Sequence, residues 1–273
     1  GMVKNMIASA ALASTCVATP DMAAAVHDAN LFTSNTLAAN DDGFTGLVDI
    51  GFNINFYGQS FNKLYVNNNG NVSFNTQLPT YTPFSLLSTS NAMLAPFFAD
   101  VDTRNIASGL TQYGQATING RQTFGVNWIN VGYFNSKADK TNSFQLIVTD
   151  RSDTGAGNFD FQFNYDNISW ETGSFSGGTN GFGGSSARAG WSNGTTKSFE
   201  LAGSAVNGAL LNSGSNALTH NQLDSGVEGQ YNFSVRNGAV IPAVPEPETY
   251  AMLLAGLGLL GAAARRRKHS ATR

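Results

Sequence analysis

Cysteine is nearly missing from this 273-residue chain: Cys16 is the single one. A disulfide scaffold needs more. Histidine is scarce as well, limited to His27, His220 and His269. With His220 alone well inside the central segment, a His/Cys zinc site cannot be assembled there. Charged residues make up only 12% of the chain while aromatics reach 11%, the reverse of a disordered composition. Positive charge is in short supply too. The formal net charge is −3, and residues 26–243 hold 9 Lys/Arg against 15 Asp/Glu, a net of −6. Nothing in that balance suits nucleic acid or an anionic polymer.

What is abundant is glycine and asparagine. There are 30 of each, 60 of 273 residues or about 22%. Both weaken helix interiors, and both tolerate the positive φ of tight turns. Between the turns the pattern has period two. Phe159, Phe161, Phe163 and Tyr165 alternate with Asp160, Gln162, Asn164 and Asp166. Phe52/Ile54/Phe56, Phe124/Val126/Trp128 and Phe144/Leu146/Val148 repeat it, as half-buried strands do. Asn119-Gly120 between Thr111–Ile118 and Arg121–Val131 predicts a hairpin, and Asn67-Asn68-Asn69-Gly70 between Leu64–Val66 and Asn71–Phe74 a second. The expected fold is all-β: one antiparallel β-sandwich domain over residues 26–243, with roughly ten or more strands. Gly173–Ser186, with six glycines in fourteen residues, reads as a mobile connection.

The two ends have a different character. Lys4, the apolar run Met6–Val17 and the small residues ending in Ala23-Ala24-Ala25 predict a signal peptide over residues 1–25. Its removal would take Cys16 with it. At the other end, Val244-Pro245-Glu246-Pro247 precedes an apolar stretch from Ala251 to Ala264 and the basic run Arg265-Arg266-Arg267-Lys268. The prolines stop a helix from running upstream. Residues Glu248–Ala264 count 17, the low end of a membrane span, so a transmembrane helix is expected over this tail, with the basic run cytoplasmic.

Residues 244–273 resemble the PEP-CTERM sorting signal of Gram-negative bacteria that make extracellular polysaccharide. The matching residues are Val244, Pro245, Glu246, Pro247, the apolar segment, and Arg265, Arg266 and Arg267. The resemblance implies processing by a membrane-embedded exosortase, a transient membrane contact through the tail, and delivery to the cell surface or matrix. The centre has its own likeness. Leu64-Tyr65-Val66-Asn67-Asn68-Asn69-Gly70-Asn71-Val72-Ser73-Phe74 and Leu94-Ala95-Pro96-Phe97-Phe98-Ala99-Asp100-Val101-Asp102-Thr103-Arg104 resemble the two most specific segments of nidogen-like extracellular (NIDO) domains. Weaker matches carry the likeness over residues 45–203. It implies an extracellular, matrix-associated, non-catalytic domain with a role in cell–matrix adhesion.

Three constellations could carry chemistry. Asp100 and Asp102 stand two apart, and on an extended strand they would share a face about 6.5–7 Å apart. They could share a Ca²⁺, serve as the acid and nucleophile of a glycosidase, or cap a turn while Arg104 pairs with one of them. Gly190-Trp191-Ser192-Asn193-Gly194 matches a nucleophile elbow as text, with Glu200 and His220 following, but no strand–helix frame surrounds it. Tyr81, Tyr133 or Trp170 could stack on sugars if exposed, although most aromatics of a sandwich are core. The expected function is that of an exported, non-enzymatic surface or matrix protein that binds a matrix polysaccharide or a surface protein. No cofactor is expected beyond a Ca²⁺ at Asp100 and Asp102. The alternatives are a glycan-active enzyme using that pair and a protein-only interaction module.

Overall fold

A computed structural model describes residues 25–242 and 247–270. The expected signal peptide, Ala25 apart, lies outside the described residues, as do Cys16 and Val244-Pro245-Glu246.

The period-two segments become two antiparallel sheets. One has the order β1 (Asn35–Thr36), β6 (Thr111–Ile118), β7 (Arg121–Tyr133), β8 (Lys137–Asp150), β9 (Phe159–Asn167), β12 (Gln230–Arg236), β13 (Ala239–Ile241). The other has the order β11 (Ser198–Glu200), β10 (Arg188–Asn193), β5 (Ala92–Phe98), β4 (Asn71–Ser73), β3 (Gln59–Asn67), β2 (Val48–Phe56). In β9 the aromatic side chains of Phe159, Phe161, Phe163 and Tyr165 are all buried. Rings from the two sheets meet between them, Phe97 on Phe144 at 5.3 Å and Phe56 on Phe159 at 6.1 Å between centroids. Such ring pairs are ordinary core contacts, edge-to-face or tilted. The arrangement is the expected β-sandwich.

β5 breaks the alternation, since every residue from Ala92 to Phe98 is buried. One side of the strand faces the sandwich interior through Leu94 and Phe97. The other carries Met93, Ala95 and Phe98 into a second apolar cluster with Leu78 and Leu86 of the segment that follows β4. A strand covered on both faces reads as a continuous apolar run.

The hairpins form where the Asn-Gly signals stand. Asn119 and Gly120 both have positive φ, +51° and +76°, as a type I′ link requires. Gly70, at φ +77°, closes the β3–β4 hairpin, and a Cβ there would collide with the carbonyl oxygen of Phe97. The Gly173–Ser186 segment corrects the expectation of a mobile connection. It is a closed, hydrogen-bonded loop: Glu171 and Thr172 donate their N–H groups to the Gly181 carbonyl, and Ser185 donates to Ser176. The buried Glu171 carboxylate also receives the N–H groups of Gly183 and Gly208.

The tail is helical, α1 (Pro247–Ser270). The transmembrane expectation is corrected: no helix among the described residues is long and apolar enough to cross a membrane. The apolar stretch Ala251–Ala264 counts fourteen residues. At 1.5 Å per residue it reaches about 21 Å against about 30 Å of hydrocarbon. It is also rich in Ala and Gly, and cationic residues follow at once.

Candidate functional site

An acidic corner forms where the loop after β1, the β3–β4 hairpin and the end of β5 converge. The hairpin asparagines build it. Asn68 is fully buried and donates its side-chain amide to the carbonyls of Asp41 and Val101, each at 2.8 Å. Its Oδ1 accepts from the Thr111 hydroxyl, and its backbone carbonyl accepts from the Trp128 indole. The loop carrying Asp41 and Asp42 is thereby fastened to the hairpin and to the seven-stranded sheet. Asn69 donates its amide to Asp42 Oδ1 at 2.9 Å and to the Thr80 carbonyl at 3.1 Å. Both partners are acceptors, so the orientation of the Asn69 amide is fixed and its Oδ1 faces away from them.

Asp100 completes the corner. The carboxylates of Asp41, Asp42 and Asp100 each offer an oxygen, and these oxygens lie within 4.8 Å of one another. Asp100 is only 2% exposed. Its Oδ1 is buried without a hydrogen-bond partner, as are Asp41 Oδ1 and Asn69 Oδ1. A buried acceptor left unsatisfied costs about 1–3 kcal/mol, and a charged one more. Burial, followed by the charges of Asp41, Asp42 and Asp102, pushes the Asp100 carboxyl up to about 8. Burial and the neighbouring Asp42 push Asp41 up to about 6, although a hydrogen bond from the raised Asp100 carboxyl pulls it the other way. Burial raises Asp42 as well.

Asp102 belongs to a different environment. Burial alone would raise it, but Arg104 and two backbone N–H groups override burial and hold its carboxyl below the usual range. Arg104 Nε and Nη2 donate to its two oxygens at 2.9 and 2.6 Å, and the N–H groups of Arg104 and Ser136 add two more bonds at 3.0 and 2.8 Å. The Asp100–Asp102 pair expected to share a metal is therefore split: Asp100 joins Asp41 and Asp42, while Asp102 forms the turn-and-arginine arrangement. A glycosidase pair is disfavoured too, because both carboxylates are buried and Asp102 is already held by Arg104.

The remaining candidates separate in the same way. Ser192 is buried in β10, and its hydroxyl accepts from the Gly194 N–H. Glu200 holds Arg188 and the Leu86 N–H. His220 is exposed, with Nδ1 3.8 Å from Glu228. These three are not brought together as a triad. Trp170 and Tyr133 are core residues packed on one another, so neither offers a sugar-stacking face. Tyr81 is 39% exposed, and beside it stands Phe175, 72% exposed, with ring centroids 6.5 Å apart. Phe175 packs on Phe134 at 4.7 Å. This aromatic patch borders the acidic corner, since Asp42, Pro79, Thr80, Tyr81 and Thr82 line one open depression of about 580 Å³. Sequence reasoning missed Phe175, although two Phe residues, Phe175 and Phe182, in a Gly/Ser-rich loop were the signal available. It also missed Asp41 and Asp42, whose proximity to Asp100 depends on topology.

Comparison with known proteins agrees with these features. The nidogen-like domain family matches residues 62–119 and 106–237, and the PEP-CTERM protein-sorting motif matches residues 243–268. The chain is 33% identical to alpha-tectorin of Mus musculus over 189 residues, 60% of this chain and 8% of that protein. It is 34% identical to nidogen of Drosophila melanogaster over 119 residues, 35% of this chain and 9% of that protein. The chain thus spans less than a tenth of the length of these relatives. No solved structure matches it.

Proposed function

The chain belongs to the nidogen-like domain family, and from that premise we propose that it is an exported, non-catalytic protein of the cell surface or extracellular matrix. Its work there is adhesion or the organisation of matrix polysaccharide. The observation that carries this reading is the union of two matched parts on one chain: a nidogen-like sandwich over 62–237 and a protein-sorting motif over 243–268. An exosortase is the processing partner that such a motif calls for, reading Val244, Pro245, Glu246 and Pro247 and the basic run Arg265, Arg266 and Arg267.

The domain's surface supports the same reading. A net charge of −6 over residues 26–243 favours a neutral glycan or a protein partner over an anionic polymer. The exposed Tyr81 and Phe175 rings are the kind of face that stacks on sugars. A glycan array followed by incubation with any bound polysaccharide tests the proposal. Binding without chain shortening supports it. Release of shorter products, abolished by Asp102→Ala, would replace it with the glycan-active enzyme. Capture of a surface protein with no glycan bound would replace the polysaccharide part of it with a protein-only module.

A further inference from the structure

We propose that Asp41, Asp42, Asn69 and Asp100 form a calcium site that clasps the loop after β1 to the β3–β4 hairpin and the end of β5. The inference does not rest on the adhesion reading; it rests on unspent oxygen atoms. Two buried oxygens of the cluster, Asp41 Oδ1 and Asp100 Oδ1, have no hydrogen-bond partner, and neither has Oδ1 of Asn69, the residue whose amide donates to Asp42. Asp100 is enclosed, at 2% exposure, with its carboxylate in the cluster. Asn69 cannot turn its amide to relieve the shortage, because its Nδ2 already serves Asp42 and the Thr80 carbonyl.

Among the described residues no side-chain cation fills the role. Arg104 is engaged with Asp102 and reaches Asp41 Oδ2 only at 3.4 Å. Asp100 is also closely covered on the Gly173 side, where a Cβ on that residue would come within 2.5 Å of Asp100 Oδ2. Three carboxylates from two distant segments, crowded within 4.8 Å, repel one another once ionised, and a bound cation removes that repulsion.

The donors select the ion. All are oxygens, so the soft N/S-preferring metals are disfavoured. Oxygens sharing one Ca²⁺ sit about 2.3–2.6 Å from it and therefore no more than about 5.2 Å apart. A spacing within 4.8 Å lies inside that limit, and Mg²⁺ in addition demands near-ideal octahedral geometry and gives up its waters reluctantly. Waters would complete the shell, and the depression lined by Asp42 and Tyr81 is their entry path. The ion would also fix the floor of that depression.

Calorimetry on the chelator-stripped full chain, titrated with CaCl₂ alone and paired with melting curves, tests the site. The expected result is one saturable event per chain, a raised Tm, and Mg²⁺ weaker by roughly tenfold or more. Asp100→Asn and Asp42→Asn should each weaken Ca²⁺ binding by at least roughly tenfold. Asp49→Asn, at an exposed Lys63 ion pair remote from the cluster, should leave it unchanged. If Asp100→Asn fails to fold, Asp42→Asn at its half-buried position decides alone. Absence of both heat and Tm shift up to about 10 mM, above the weak end of extracellular calcium modules, overturns the proposal. So does unchanged binding in Asp42→Asn.

Discussion

Asp100 and Asp102 are two residues apart on one segment, yet Asp102 is held by an arginine while Asp100, among the described residues, is paired with no cation. The Arg104 guanidinium meets both oxygens of Asp102, while Asp100 Oδ1 is buried without a partner. Divergent environments for neighbouring carboxylates set the expectations for substitutions here.

Arg104→Ala should strand the Asp102 carboxylate, whose side chain is 0% exposed. Breaking a fully buried pair costs about 3–5 kcal/mol. Arg104 is itself partly exposed, so about 2–3 kcal/mol is expected, read by chemical denaturation. Arg104→Lys should recover only part of it, because lysine cannot make the two-pronged contact.

The metal-free chain should lose stability as pH rises from about 5 to 8. The sign follows from the raised Asp100 carboxyl, up to about 8 from an ordinary 3.8. Between those values the folded state holds a proton that the unfolded state has released, so its contribution is full below the unfolded pKa and gone above the folded one. Asp41, raised to about 6, acts in the same direction, as does Asp42. Asp102, paired with Arg104, works oppositely at lower pH. Melting curves in chelator from pH 5 to 8 measure the slope, and Asp100→Asn should flatten it.

Gly70→Ala should destabilise strongly, by at least about 2–3 kcal/mol in denaturant titrations. The position combines φ +77° with a close approach to the Phe97 carbonyl. Gly120→Ala, with positive φ but open space around it, should cost less.

Asn68→Ala should cost about 2–4 kcal/mol, because it leaves the Asp41 and Val101 carbonyls and the Thr111 hydroxyl without their partner. If the calcium site is as described, the variant also releases the loop that carries Asp41 and Asp42. A weaker Ca²⁺ affinity in folded Asn68→Ala protein is the accompanying outcome, read by calorimetry.

The sequence made the sandwich legible wherever the signal was local. The alternation from Phe159 to Tyr165 and the Asn119-Gly120 link each encode their structure within a few residues. The corner was legible only in part. Asn67, Asn68, Asn69 and Asn71 look like turn residues, yet all are buried and use their amides as fasteners. Asp41 lies about 60 residues from Asp100, and only the sheet order brings them together. Which of Tyr81, Tyr133 and Trp170 is exposed was not legible, because a single sequence does not say which side of the backbone is covered.

The central claim, an exported surface or matrix protein, is tested most directly by quantifying the chain in the isolated extracellular matrix of cells that produce it. The comparison is with a chain carrying Pro245→Ala, Glu246→Ala and Pro247→Ala. The account predicts matrix-associated unaltered chain, shortened at its C-terminus, and loss of that processing in the altered one. Full-length chain retained inside the cell in both cases would contradict it.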